Sequence, residues 1–139
     1  MIVDPGPGTV GDVMTPDPII VTTSTPLAEV AQLLDRHGVS GFPVVDATGQ
    51  LVGVISQTDL LHARTTEELW GSWPGLTARH LMSSPALTIG ASATVAEAAR
   101  TMEAHRVHRL VVVAPDGTTP IGLFSTTDLV RAMAQRVDQ

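Results

Sequence analysis

The chain has 139 residues, 43% of them hydrophobic, and a formal net charge of −6. That is enough apolar material for one compact unit, or for two very small ones that share a core. Lysine is absent and all eight cations are arginines, which excludes the broad basic face of a sequence-independent nucleic-acid binder. Cysteine is absent too, so neither a disulfide framework nor thiolate chemistry is available.

Residues 1–9 are rich in Pro and Gly and are expected to be a mobile tail. Pro18–Val21 reads as a short extended run. Thr25-Pro26 reads as a helix N-cap followed by proline at the first helical position. Leu27, Val30, Ala31 and Leu34 then keep the i, i+3, i+4, i+7 spacing of an amphipathic helix, and Gly38 is placed to end it. Phe42–Val45 and Leu51–Ile55 flank the turn signal Asp46-Ala47-Thr48-Gly49 and predict a hairpin. A second helix is predicted from about Ser56. Residues 62–80 read as a continuation of that helix followed by a linker. They hold Trp70 and Trp73, which either cap the exposed end of a core or anchor a second subunit. Next come an extended run over Leu87–Ile89, a helix marked by Val95, Ala98, Ala99 and Met102, a hairpin of Leu110–Val113 and Ile121–Phe124 around Pro115-Asp116-Gly117, and a last helix over about Thr126–Ala134.

The two halves are copies of one another. Shifting the chain by 68 places Met14 on Met82, Ser24 on Ser92, His37 on His105 and Val44-Val45 on Val112-Val113. After a one-residue insertion the shift is 69, and Gly53 falls on Gly122, Ser56 on Ser125 and Thr58-Asp59-Leu60 on Thr127-Asp128-Leu129. Residues 14–61 contain 15 identities in 48 positions, where average composition gives roughly one in fifteen. The predicted class is therefore α+β, two β-α-β-β-α repeats over residues 10–64 and 78–135. Residues 65–77 are the expected linker and 136–139 a C-terminal tail. A unit of this size buries little surface alone, so the repeats are expected to pack sheet to sheet about a pseudo-twofold axis, with a crevice between them.

Ser-x-x-Asp recurs at Ser56/Asp59 and Ser125/Asp128, where a strand gives way to a helix. One reading is a capping box, which satisfies the helix's exposed backbone N–H groups. The other is a nucleoside site. A helix N-terminus accommodates phosphate, and a carboxylate beside it can accept hydrogen bonds from paired ribose hydroxyls. His105-Arg106-Val107-His108-Arg109 crowds two His and two Arg into five positions. His105 and Arg106 suit a helix C-terminus. His108 and Arg109 lead into a strand, where an inward-facing Arg could hold phosphate. The first copy has Ser40-Gly41 there, so the two half-sites should differ in their taste for phosphate.

These residues carry a family resemblance. The doubled unit, the opening VMTPDPIIVTTSTPLAEVAQLL, the hairpin GVSGFPVVDATGQLVGVIS and the two Ser-x-x-Asp ends resemble a tandem pair of CBS (cystathionine β-synthase) domains, a Bateman module, over about residues 10–135. Val107–Val113 is similar to a segment of the γ subunit of AMP-activated protein kinase. The resemblance implies clefts that take an adenosyl ligand: AMP, ADP, ATP or S-adenosylmethionine. It implies ribose on Asp59 and Asp128, and Ser56 and Ser125 near ribose or phosphate. Val39, Ser40, Phe42 and Pro43 would line base and phosphate, as would Val107, His108, Arg109 and Leu110. Thr88 matches a ligand-contacting position of the family, where the first copy has Ile20.

Three functions follow as expectations. The first is a regulatory module that senses an adenosyl ligand and signals to a separate partner chain or to a second copy. The second is a ligand-free dimerisation module, marked by Ser56 and Asp59 bonding only to their own helix. The third, an enzyme, has no support in residue spacing. No Ser-His-Asp set is spaced for catalysis, and His105-x-x-His108 offers a metal two ligands beside two arginines. No catalytic residue, resident cofactor or metal site is therefore expected. No apolar run approaches the roughly 18 residues of a membrane span, and the first residues lack a signal-peptide pattern. A cytoplasmic homodimer without nucleic-acid or membrane partners is expected.

Overall fold

The structure, a computed structural model, describes residues 8–137. In chain order its elements are α1 (Val10–Val13), β1 (Thr15–Pro16), β2 (Val21–Thr22), α2 (Leu27–His37), β3 (Gly41–Val45), β4 (Leu51–Ser56), α3 (Gln57–Thr65), α4 (Glu67–Gly71), a 3-10 turn (Trp73–Gly75), α5 (Ala78–Leu81), β5 (Thr88–Gly90), α6 (Val95–His105), β6 (Arg109–Val113), β7 (Pro120–Ser125) and α7 (Thr126–Val137). The fold is mixed α+β. The β-α-β-β-α scheme occurs twice, as β2-α2-β3-β4-α3 and as β5-α6-β6-β7-α7.

The chain forms two compact units. One is Ile19–Ala86, built on a sheet of order β2-β3-β4, with β3 parallel to β2 and antiparallel to β4. The apolar stripe of α2 (Leu27, Val30 and Leu34) packs on Val21, Phe42, Val44 and Ile55 from the sheet. Each large apolar side chain so buried contributes about 1.5–3 kcal/mol. The other unit joins residues 8–18 to residues 87–137, on a sheet of order β1-β7-β6-β5. Its core gathers Val10, Val13, Ala98, Met102, Leu110, Val112, Phe124 and Ala132.

The compact units and the sequence repeats are thus different divisions of the chain. The segment that opens the first copy lies on the hairpin of the second: Thr15 pairs with Leu123, and Pro16 with Gly122. The segment that opens the second copy lies on the hairpin of the first, where Ser83 N donates to Val54 O at 2.9 Å and Val54 N to Ser83 O at 3.0 Å. Each crossing passes over a glycine. A Cβ on Gly53 would stand 2.6 Å from Ser83 O, and one on Gly122 would collide with Met14. This close approach accounts for the glycine at the same place in both copies.

Three expectations need correction. Pro18–Ile20 is not strand, because only Val21 and Thr22 pair with β3. Pro26, not Thr25, is the N-cap of α2, and the Thr25 hydroxyl instead accepts from Thr22 N at 3.0 Å. In the second copy Thr94 does cap its helix, accepting from Glu97 N at 3.0 Å. Third, the stretch expected as linker is largely helical, holding α4 and the 3-10 turn. Of the expected tail at 1–9, residues 1–7 lie outside the described residues. Gly8 and Thr9 belong to the fold: Gly8 O accepts from Val95 N at 3.3 Å, and Thr9 is the N-cap of α1. Of the tail expected at 136–139, residues 136 and 137 continue α7, and residues 138 and 139 lie outside the described ones.

The helix ends follow the sequence. α2 stops at Gly38 in the left-handed conformation (φ 62°), and α6 stops the same way at Arg106 (φ 55°). A side chain in that region costs on the order of 1–2 kcal/mol, so Arg106 is held there at an expense Gly38 avoids.

Both hairpin turns are organised by an aspartate. Asp46 Oδ1 accepts from Thr48 N (2.9 Å), Gln50 N (3.0 Å) and Thr48 Oγ1 (2.6 Å). Asp116 Oδ1 accepts from Thr118 N and Thr119 N, both at 2.9 Å, and its Oδ2 from the Thr119 hydroxyl. Hydrogen bonds to the charged form, led by the Thr119 hydroxyl, lower the Asp116 pKa from 3.8 to about 2. The Thr48 hydroxyl lowers that of Asp46. A carboxylate depressed in the folded state stabilises the fold above its unfolded pKa and loses that contribution as pH falls toward its folded pKa. Asp116→Asn is therefore expected to flatten the loss of stability between roughly pH 4 and pH 2, measured as urea midpoints across that window. An unchanged acid limb would contradict this assignment.

Among the described residues no helix is long and apolar enough to cross a membrane.

Candidate functional site

In the first copy, the pairing of Gly41 with Ser56 brings the start of β3 beside the end of β4. Gln57 N donates to Ser40 O at 2.9 Å, and Gln57 Nε2 reaches Val39 O at 3.5 Å. Val39, Ser40, Ser56 and Asp59 therefore meet at the mouth of α3. Ser56 is buried, and both its backbone N (2.8 Å) and its hydroxyl (3.1 Å) donate to Asp59 Oδ2. This is the capping box that the spacing allows. It uses one carboxylate oxygen only. Among the described residues none donates to Asp59 Oδ1, and Asp59 is partly exposed.

Phe42 and Pro43 do not present side chains at this mouth. Phe42 is 1% exposed inside the unit's own core, and Pro43 is fully buried. The missed participant is Gln57, whose side chain spans α3 and Val39. Its place directly after Ser56 was visible, but its partner lies 18 residues away.

The second copy repeats the geometry with more polar side chains. Arg109 pairs with Ser125, and Thr126 N donates to His108 O at 3.0 Å. Thr88 begins β5 opposite Val111 and is exposed. Leu110 is fully buried in the core and offers the site backbone alone. A cavity of about 470 Å3 opens between α6 and α7, lined by Met102, Arg106, Val107, His108, Thr126 and Leu129 among others. Val107 and His108 are thus set beside the first residue of α7.

The carboxylate differs sharply from that of the first copy. Asp128 is 1% exposed. Its Oδ2 accepts from Ser125 N (2.9 Å) and Ser125 Oγ (3.2 Å). Its Oδ1 accepts from Thr15 Oγ1 at 3.2 Å and lies 3.2 Å from the Arg131 guanidinium. Both oxygens are engaged within the unit. Thr15 is the residue that sequence reading missed, because its link to Asp128 spans 113 positions and exists only once β1 has docked on β7.

Of the tryptophans, Trp73 packs partly buried against the first unit's core. Trp70 is 43% exposed, stands 5.3 Å from the Trp73 ring and carries the Arg64 guanidinium 4.6 Å above its own. His105 closes α6 and His108 is exposed. Among the described residues no group of three or more His, Asp or Glu side chains could hold a metal ion.

A doubled β-α-β-β-α unit with a Ser-x-x-Asp cap at each strand-to-helix junction defines a module of two like domains in tandem. The CBS domain family matches residues 10–65 and 78–135, and the chain belongs to that family as a tandem pair. The chloroplastic CBS domain-containing protein CBSX2 of Arabidopsis thaliana is 43% identical over 54 residues, 39% of this chain and 23% of that protein. The structure of CBSX2 in complex with AMP superposes with a TM-score of 0.78 at 35% identity, covering 94% of this chain and 98% of the other. Inosine-5'-monophosphate dehydrogenase of Korarchaeum cryptofilum is 30% identical over 113 residues, 81% of this chain and 22% of that enzyme. The CBS domain of a membrane protein from Sphaerobacter thermophilus has a TM-score of 0.74 at 29% identity, covering 89% of this chain and 86% of the other. The chain spans only 22–24% of the length of these and similar curated relatives.

Proposed function

We propose that this CBS pair is a ligand-sensing regulatory module that binds an adenosyl compound, AMP, ADP, ATP or S-adenosylmethionine, and passes the resulting bias to a partner chain. The observation that carries the reading is the open oxygen of Asp59 at the α3 mouth. A partly exposed carboxylate with Oδ2 fixed by Ser56 and Oδ1 unused is oriented to accept from the paired hydroxyls of a ribose. Support also comes from the AMP complex of CBSX2, which matches nearly the whole chain. In this reading Val39 and Ser40 border the sugar or base at the first mouth. Thr88, Val107, His108, Arg109 and Ser125 form the more cationic second mouth, where phosphate is favoured. Phe42, Pro43 and Leu110 act through their backbone only. The proposed role is regulatory, not catalytic.

A second reading, a module whose sites stay empty, is favoured by two observations: among the described residues the Ser56 and Asp59 side chains bond only within their own helix mouth, the mark expected of that reading, and both oxygens of Asp128 are already engaged. Thermal melts separate the two. A compound that binds only the folded state raises the melting temperature. AMP, ADP, ATP or S-adenosylmethionine at about millimolar concentration is expected to do so, with a smaller effect for the nucleotides in Arg109→Ala. No shift with any of the four leaves the structural reading.

A further inference from the structure

A cavity of about 250 Å3 in the first unit, lined by Thr23, Ser24, Thr77, Arg79 and His80, lies away from the α3 mouth. It sits at the other end of the sheet, past the C-terminal residue of β2. All five side chains can donate hydrogen bonds and none is a carboxylate. His80 Nδ1 accepts from Thr77 N at 2.9 Å, so the ring carries a hydrogen on Nε2, away from that contact. Among the described residues Arg79 makes no ion pair, and its side chain is exposed.

The second copy supplies an internal control, because its backbone is the same there. Ala78 N donates to Thr25 O at 2.8 Å, as Val10 N does to Ala93 O. Arg79 N donates to Thr23 O at 3.1 Å, as Gly11 N does to Ala91 O at 2.9 Å. The side chains differ in one direction. Thr23 stands against Ala91, Arg79 against Gly11 and His80 against Asp12, while Ser24 and Thr77 match Ser92 and Thr9. Asp12 accepts from Thr9 N as His80 accepts from Thr77 N, so the acid and the imidazole do the same capping work. The first copy keeps the cap but replaces a carboxylate by a donor, and adds a guanidinium and a hydroxyl. Helix capping explains none of these three changes. Recognition of a tetrahedral oxyanion explains all three, since Arg and hydroxyl donors surround such a group and a carboxylate repels it.

We infer that this pocket is a binding site for a phosphate-type oxyanion, either inorganic phosphate or the phosphomonoester end of a small metabolite. It is independent of the adenosyl reading. The test follows backbone amide NMR signals during titration with inorganic phosphate and, separately, with glycerol 3-phosphate, at constant ionic strength. Thr23, Ser24, Thr77 and Arg79 are expected to move with saturation, and the stronger of the two probes identifies the source. Arg79→Gly/His80→Asp copies the second repeat and therefore retains the cap and the fold, checked by its unperturbed amide spectrum elsewhere. It is expected to weaken binding at least about tenfold. Saturable shifts lost in this variant support the site. Shifts that persist in the variant, or no saturable shift at these residues with either probe, overturn it.

Discussion

Asp128→Ala is expected to cost about 3 kcal/mol of folding stability, the largest single loss among the polar residues of the site. The carboxylate is 1% exposed and takes hydrogen bonds from Ser125 N, Ser125 Oγ and Thr15 Oγ1. Its removal takes the acceptor from the half-buried Ser125 N–H and hydroxyl, leaves a void where the buried carboxylate stood, and releases the Thr15 hydroxyl. The Arg131 pair adds less, because the Arg131 side chain is 53% exposed and solvent screens it. The loss extends beyond α7. Thr15 is in β1, so its bond to Asp128 helps fasten the N-terminal strand to the sheet edge. Urea unfolding and calorimetry check the value; a drop in melting temperature of roughly 6–12 °C corresponds to it. Asp59→Ala should cost only about 1 kcal/mol, the ordinary worth of a helix cap. Equal losses at the two aspartates would show that the second carboxylate is not locked as described.

For Asp59→Asn the expected result is the reverse: a fold of nearly wild-type stability and a loss of AMP affinity of about 10- to 100-fold. An amide oxygen can still accept from Ser56 N, so the cap survives. What disappears is the second anionic acceptor. Hydrogen bonds to a charged group contribute about 1.5–3 kcal/mol each, and a ribose offers two hydroxyls. Isothermal titration of wild type and variant with AMP reads the change. A variant that binds AMP as tightly as wild type would remove Asp59 from the proposed site. The comparison also bears on the two mouths. If the latched Asp128 takes no ribose, wild type binds one AMP per chain. Thr15→Ala/Arg131→Ala, which removes both groups that hold Asp128 Oδ1, is then the variant in which a second equivalent appears.

Much of this was readable in the residues. The duplication, both hairpins, both aspartate turns and the Ser-x-x-Asp caps follow from short-range rules: hydrophobic period, turn chemistry and side-chain-to-backbone bonds within four positions. Gly38 ends α2 as its lack of a Cβ allows. Arg106, placed by its charge at the end of α6, does the same work without that advantage, and no local rule forecasts its left-handed backbone. The misreadings share one cause. Thr25 looked like a cap, but its hydroxyl had a nearer partner in Thr22 N. Residues 65–77 looked like linker because Trp-Pro-Gly breaks the periodicity, yet Leu76 is buried in the first unit's core.

The sequence by itself determined that there are two copies of one unit, the main helix, hairpin and closing helix of each copy, and that a carboxylate stands at each strand-to-helix junction. Only the tertiary structure decided that the two carboxylates are unlike. Asp59 keeps an oxygen open, while Asp128 is sealed by a threonine 113 residues away. The reason is physical: a helix cap is settled within one turn of chain. What reaches the far side of that cap depends on which distant segment the sheet edge recruits. In this chain each hairpin recruits the segment that opens the other copy.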